Sequence, residues 1–489
     1  MPTRRDLTFT LSTGNNEQPG DEGAATGGHG PGLRFLVLGD FSRNQRRPAV
    51  FKSRRVTFDN FDEVLSVLTR SFGALDQFHP DFLADTDAEL QQLLQLRRHL
   101  KEPTKRQAAL EELVRLQQRL GALKVEPESP ASASAQPSEA EPELLARLLG
   151  GRATAVTPEA PAAHAPPPAT GTKAAVDRFV QHVLKASPAA SPVSTDRGAD
   201  DLVIELLNAR CRTALLEPDF RALERAWRSL HWLVSRLESE QGEVHVLDIS
   251  KTELTEHLAA HARNLDASPL VQLLCDDADG WDFLIGDYSF GFEIQDLVLL
   301  GNLGAIAARA GAPFLAHGDL SLAGCPSPDL LETPGSWSFG DPELAALAEQ
   351  VRKHPAAQWI GLAAPRFLLR HPYGKRSDPI ESFPFEELPA DPEVERFLWG
   401  NPAFACAWIL GQAHGRGGAR WPLRQMSHVP DLPMPCFTAH GGDDIQLPLE
   451  LSLTEAAQAT LAQHGLIAFA GSRNSNRIST PSLHALASS

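Results

Sequence analysis

Few residues of this chain have the type and spacing for chemistry. His440-Gly-Gly-Asp443-Asp444 sets an imidazole and two carboxylates close together, and these are metal-ligand types. Acidic residues beside paired glycines also make turns, because Asp bonds its own backbone and glycine accepts positive φ, and a turn is the reading here. Glu381, Glu386 and Glu387, near Phe383 and Phe385, offer carboxylates for acid–base work. They have no partner base, so the run reads as a solvated loop. Lys375-Arg376 follows the turn Pro372-Tyr373-Gly374. That basic spot either holds a neighbour's acidic surface or stays solvated. Trp399, in Phe397-Leu-Trp-Gly-Asn-Pro402, is either an interface anchor or a core residue.

Nothing else fills the gap. The 17 histidines are dispersed. Cys211, Cys275, Cys325, Cys406 and Cys436 are odd in number and lack a CxxC pair. That disfavours a disulfide framework or a zinc cage and fits a reducing cytoplasm. No Walker-type phosphate loop, GxGxxG, HExxH or GxSxG is present. The expectation is a protein that is not an enzyme, with no catalytic residue, cofactor or metal.

The chain has 489 residues, room for about three domains at ~150 residues each. A formal charge of −17 argues against nucleic acid, since an acidic surface repels phosphate. No apolar run reaches the ~18 residues that span a bilayer, so no membrane insertion is expected. Met-Pro-Thr-Arg-Arg-Asp at the start lacks the apolar stretch of a secretory signal.

These residues must be positioned by elements that the periodicities predict. Leu7, Phe9 and Leu11 alternate with Thr8, Thr10 and Ser12, the pattern of a half-buried strand. A glycine-rich tether, 14–32, follows. Such a strand needs a sheet elsewhere, in its own chain or in a neighbour's. Phe35-Leu-Val-Leu38 is a continuous apolar run, expected of a strand covered on both faces. Residues 54–58 read as another strand. Asp59-Asn60 offers a helix N-cap before Phe61, Val64, Leu65 and Leu68. Helices are expected over 87–100 and 106–123. Residues 126–172 turn to Pro, Ala, Ser and Glu, a disordered linker. Within it Leu144, Leu145, Leu148 and Leu149 form an apolar island, a short helix that either recognises a partner or docks back. Beyond it, helices and strands alternate: helices at 202–216, 218–234 and 296–310, strands at 244–249, 283–285, 313–316 and 359–362. The fold class is α/β (α+β), with mixed sheets and packed helices. The expected domains are 1–32 strand and tether, 33–125, 126–175 linker, and 176–489.

Two stretches carry a resemblance: Arg34-Phe-Leu-Val-Leu-Gly-Asp-Phe-Ser42 and Pro218-Asp-Phe-Arg-Ala-Leu-Glu-Arg-Ala-Trp-Arg-Ser-Leu-His231. With residues 54–68 and Phe78-His-Pro-Asp81, the first resembles the small subunit of the type VI secretion contractile sheath. The second resembles the large subunit, and the match continues through Val246-Leu-Asp-Ile-Ser-Lys251, residues 283–290, 312–316, 361–374 and 397–405. The resemblance implies two sheath modules fused in one chain that polymerises and contracts to drive secretion. It implies a cytoplasmic, non-enzymatic, oligomeric role. The implied partners are other sheath subunits, the inner tube, the baseplate and a recycling AAA+ ATPase. The large subunits extend beyond the segment matching 465–469, whereas this chain continues as a polar tail, 472–489. A sheath-like accessory that binds the apparatus without forming tubes is therefore the alternative.

Overall fold

Phe35, Leu36, Val37 and Leu38 are fully buried, and their unbroken apolar run follows from where the strand lies. A computed structural model of the chain describes residues 32–43, 51–123, 192–261, 264–277, 279–388, 393–417, 426–434, 436–438 and 444–487. Residues 1–91 with 207–489 make one compact unit and residues 92–206 another. The strand at 6–12, its tether, the linker at 126–172 with its leucine island, His440 and Asp443 lie outside the described residues.

The larger unit is built on a seven-stranded sheet. Its strands are β1 (Leu33–Gly39), β2 (Arg54–Val56), β3 (Gly242–Asp248), β4 (Phe283–Phe290), β5 (Phe314–Gly318) and β6 (Ile360–Ala364), joined later by a seventh. Next in the chain come β7 (Phe367–Leu368), β8 (Trp399–Gly400), β9 (Ser427–Val429), β10 (Cys436–Thr438) and β11 (Asp444–Gln446). The chain ends through β12 (Leu466–Ala468), the seventh strand, then β13 (Ala470–Gly471) and β14 (Ile478–Thr480). The sheet order is β12-β6-β5-β4-β1-β3-β2. All neighbours are parallel except β2, which runs antiparallel to β3 at the edge.

β1 thus sits between β3 and β4, with Phe35 opposite both Val244 and Phe283. Successive side chains of a strand point to opposite faces. Phe35 and Val37 join one core with the Phe61–Thr69, Pro218–Val234 and Pro402–Gly417 helices. Leu36 and Leu38 join the other, with the Lys251–Ala260, Pro269–Cys275 and Ile294–Ala310 helices. A parallel sheet covered by helices on both sides needs apolar residues at every position, and alternation disappears.

The α/β reading holds, and local differences have local causes. Asn60 stands at the N-cap of the Phe61–Thr69 helix but makes no side-chain cap bond. Its Oδ1 instead accepts from the Thr57 amide at 2.7 Å and its Nδ2 donates to the Arg55 carbonyl at 3.1 Å, closing the preceding turn. The Lys251–Ala260 helix starts on a reciprocal capping box, Ser250 with Glu253. The polar tail is not all tail. Ile478 is buried in β14, which lies between β13 and β9, and the Leu486 amide donates to the Ile360 carbonyl at 2.7 Å. In the smaller unit, Leu96, Ala109, Leu113 and Val203 are buried and Arg97 donates to Asp200 at 3.0 Å.

His317, at the end of β5, is 7% exposed and its Nδ1 lies 3.0 Å from the Ser289 hydroxyl. Burial, reinforced by Arg366, pushes its imidazole down to about 3. An unfolded imidazole titrates near ~6.5, so the unfolded chain holds the extra proton between these values. The contribution is fully present above pH ~6.5 and is lost as pH falls towards 3. Stability from urea unfolding should therefore drop across this window, and His317→Gln should make the slope shallower by up to one proton. In NMR, the His317 ring should not titrate above about pH 5; a midpoint near 6.5 would contradict its burial as a neutral ring.

Candidate functional site at the junction of two signature segments

Trp227 is the meeting point. The Pro218–Val234 helix begins with proline at its first position, and the Glu217 side chain accepts from the Phe220 amide at 2.6 Å. Its spacing brings Leu223, Trp227, Leu230 and Val234 onto one buried stripe. The Trp227 ring meets Phe41 edge-on at 5.3 Å and Phe61 edge-on at 5.5 Å. Its indole N–H donates to the Phe41 carbonyl at 2.9 Å. The turn after β1 is itself pinned, because Asp248 Oδ1 accepts from the Phe41 and Ser42 amides at 2.8 and 3.1 Å. Gly39 gives the Phe41 ring its room, since a methyl there would lie 2.9 Å from that ring. Arg43 then pairs with Asp219 at 2.7 Å. A second aromatic set extends the contact: Phe78 stacks on Phe72 at 4.4 Å and meets Phe220 edge-on at 5.5 Å.

On the flank of the same helix lies a buried ion cluster. Glu224 is 0% exposed. Its Oε1 accepts from Arg370 Nε at 2.8 Å and from Arg228 Nε at 2.7 Å. Arg370 also donates to both oxygens of Glu387, at 2.7 and 3.1 Å, and its guanidinium lies 4.0 Å from the centre of the Tyr373 ring. Arg228 Nη2 donates to the Tyr373 hydroxyl at 2.9 Å. Glu387 accepts from the Tyr373 amide and returns its own amide to the Tyr373 carbonyl, each at 2.8 Å. Burial pushes the Glu224 carboxyl up, but Arg370 and then Arg228 outweigh it and hold it below the usual carboxylate range. Burial pushes the Tyr373 hydroxyl up to about 12. Two carboxylates face two guanidiniums, so the cluster is neutral and binds its own chain.

The loop carrying Glu387 is tied down from the leading segment. Asp81 accepts from the Glu381 and Ser382 amides at 3.0 and 2.9 Å and from the Ser382 hydroxyl at 2.6 Å. Burial raises the Asp81 carboxyl, and these hydrogen bonds, that of the Ser382 hydroxyl first, bring it below its ordinary value. Asn208 and Arg212 hold the same loop at Pro384 and Glu386.

The residues singled out by sequence scatter around this junction. Glu381 and Glu386 are exposed, but Glu387, read as part of a solvated loop, is 7% exposed and bound to Arg370. Lys375 and Arg376 are exposed on a turn. Trp399 is buried against Phe397 and Leu368, and its indole N–H donates to the Val394 carbonyl at 2.7 Å. Asn401, two residues on, had no sequence signal beyond its place in that run. Its Nδ2 bonds the Gly286 and Tyr288 carbonyls at 3.0 Å each, where β4 and β5 lose register, and its Oδ1 accepts from the Ala403 amide. Among the described residues, no cluster of three His, Cys, Asp or Glu could hold a metal, and no helix is long and apolar enough to cross a membrane.

Removing one member of a buried ion cluster strands the others. Glu224→Ala should lower urea-unfolding stability by ~3–5 kcal/mol, and Glu224→Ala with Arg370→Ala should cost less than the sum of the two. Additive losses would show that the pair is not coupled. Because the Glu224 carboxyl is held low, the cluster's contribution is present above the unfolded carboxylate range. It is lost as pH falls through the lowered value.

The profile of one known family matches residues 201–486: VipB, described as EvpB/VC_A0108, tail sheath N-terminal domain. The type VI secretion system sheath protein TssC1 of Pseudomonas aeruginosa strain PAO1 is 31% identical over 321 residues, 62% of this chain and 64% of that protein. The matched stretch therefore spans less than two thirds of that relative's length. The family match at residues 201–486 contains β3 to β6, the Trp227 helix and the ion cluster, whereas β1 and β2 precede it. With more than half of its length covered by that profile, the chain belongs to the VipB family of tail sheath proteins.

Proposed function

We propose that this chain is a structural subunit of a type VI secretion contractile sheath in which a small-subunit-like and a large-subunit-like segment share one polypeptide. One observation carries the reading. β1, which lies outside the family match, is a central strand of the sheet whose β3 to β6 lie inside it. The leading segment also supplies Phe41 and Phe61 to Trp227, and Asp81 to the 381–382 loop. Two subunits that must pair to function would be held at fixed stoichiometry by such a fusion. The role is not enzymatic. The buried thiols fit that: burial pushes Cys211 up to about 12, too high for a reactive thiolate at neutral pH.

On this reading the chain works in the cytoplasm and assembles with further sheath subunits around an inner tube on a baseplate. A recycling AAA+ ATPase would act on the contracted form, with Leu144, Leu145, Leu148 and Leu149 as its candidate recognition helix. Leu7, Phe9 and Leu11 are candidates for strand addition between protomers. Exposed Lys375 and Arg376 are candidate contacts for an acidic neighbour.

Purified full-length protein, alone and with its inner-tube protein, should form tubes by negative-stain electron microscopy. Deleting residues 1–12 should abolish them while leaving the melting temperature nearly unchanged. Particles that bind sheath tubes without forming any would establish the accessory role instead. A deletion that lowers the melting temperature by several degrees would place the strand in the protomer's own core.

A further inference from the structure

The Ile294–Ala310 helix carries one face that its neighbours leave open. Leu299, Leu300, Leu303 and Ile306 enter the core on one side, and the Pro269–Cys275 and Pro342–Lys353 helices pack beside it. On the other side Ile294, Val298, Gly301, Ala305 and Ala308 recur every three or four residues, the spacing of one helical stripe. Six large apolar side chains are exposed among the described residues, and Ile294 at 62% and Val298 at 53% are the two that share a helix. All residues of this helix and of the two beside it are described.

Two features point to an occupant. The first is Gly301, in the middle of the stripe. A methyl group there would meet nothing within 4 Å, whereas one on Gly304, on the buried side, would lie 3.0 Å from the Ala356 carbonyl. Glycine weakens a helix relative to alanine, and packing among the described residues does not offset that cost at Gly301. A second helix crossing over it does, because the missing side chain lets two backbones approach closely. The second feature is that the stripe is its own complement, bulky at its amino end and small at its carboxyl end. Laid antiparallel on a second copy, with Gly301 over the partner's Gly301, Ile294 meets the partner's Ala308 and Val298 meets the partner's Ala305. Exposed Glu293 then comes beside the partner's Arg309, which keeps its own ion pair with Asp266. A parallel pairing sets Ile294 on its own copy, leaves a gap at the alanine end and brings Glu293 to a like charge.

We propose that two copies of this chain pair through this face, antiparallel about a twofold axis at Gly301. Such a contact is isologous and closes on itself, so it does not propagate a tube. It belongs to the unassembled chain and does not rest on the sheath reading. The charge of −17 on each copy opposes their approach, so the pair tightens as salt screens it.

The test is sedimentation velocity on the full chain, using the fraction left in solution after any tubes are pelleted. A concentration-dependent species of twice the 53.0 kDa chain mass is expected. Gly301→Leu should raise its dissociation constant at least about tenfold, as loss of a central interface contact does. The new side chain meets open space in the single chain, so the melting temperature should not fall. Val298→Glu should weaken the pair as well. Oxidation of mixed Val298→Cys and Ala305→Cys chains should join unlike chains, since a disulfide needs Cα atoms within about 7 Å. Three results would overturn the proposal. One is a monomer at every concentration, the outcome if another part of the chain covers the stripe. Another is a dimer that Gly301→Leu and Val298→Glu leave unchanged. The last is Val298→Cys chains that link to one another in preference to Ala305→Cys chains.

Discussion

The structure depends on one constraint: the strand nearest the amino end of the described chain lies in the middle of the sheet. β1 has β3 on one side and β4 on the other, and both of its faces are buried. Leu33, Phe35, Leu36, Val37, Leu38 and Phe41 are each at most 4% exposed. At ~1.5–3 kcal/mol for burying a large apolar side chain, these six are worth on the order of 10 kcal/mol. That equals the net stability of an ordinary domain, ~5–15 kcal/mol. A state with β1 withdrawn would also leave the inner edges of β3 and β4 unpaired, so β1 folds as one body with the strands of the family-matched segment that flank it.

Specificity at this junction comes from directional contacts laid over that burial. Hydrophobic area alone would tolerate a slipped or rotated helix, since it has no preferred direction. The indole N–H of Trp227 on the Phe41 carbonyl, Asp248 on two amides of the turn and Asp81 on the 381–382 loop each fix one register. The Glu224–Arg370–Glu387–Arg228 cluster does the same on the helix flank. Taking these charges out of water costs several kcal/mol per ion, so the cluster adds little net stability. Its effect is discrimination, because any displaced arrangement leaves a buried charge without its partner.

Much of the fold was legible in the sequence, for physical reasons that differ by element. The Phe35–Leu38 run announced a doubly covered strand, and the 3–4 spacing of Phe220, Leu223, Trp227 and Leu230 announced the helix that packs on it. The site was less legible. Glu387 looked solvated because its partner, Arg370, lies 17 residues away and the loop between them closes only in three dimensions. Glu224 sits in a helix among apolar residues, and nothing local says which flank meets a guanidinium. Asn401 satisfies two carbonyls of a strand more than a hundred residues earlier, at a break in register that no periodicity reveals. Asn60 had the right type and place for a cap, but the turn before it competed for the same side chain. Contacts within one turn of helix are encoded locally; those made by sheet order are not.

Sheet order is therefore the quantity to measure. Native-state amide hydrogen exchange on the full chain reports it strand by strand, because amides that open only on global unfolding share one free energy. The amides of Phe35, Val37 and Leu38 should exchange with the same opening free energy as those of Leu284 and Ile285, in the slowest class. Exchange of β1 at a clearly lower free energy, with β4 still protected, would show that the leading segment is a separable module and would contradict this account.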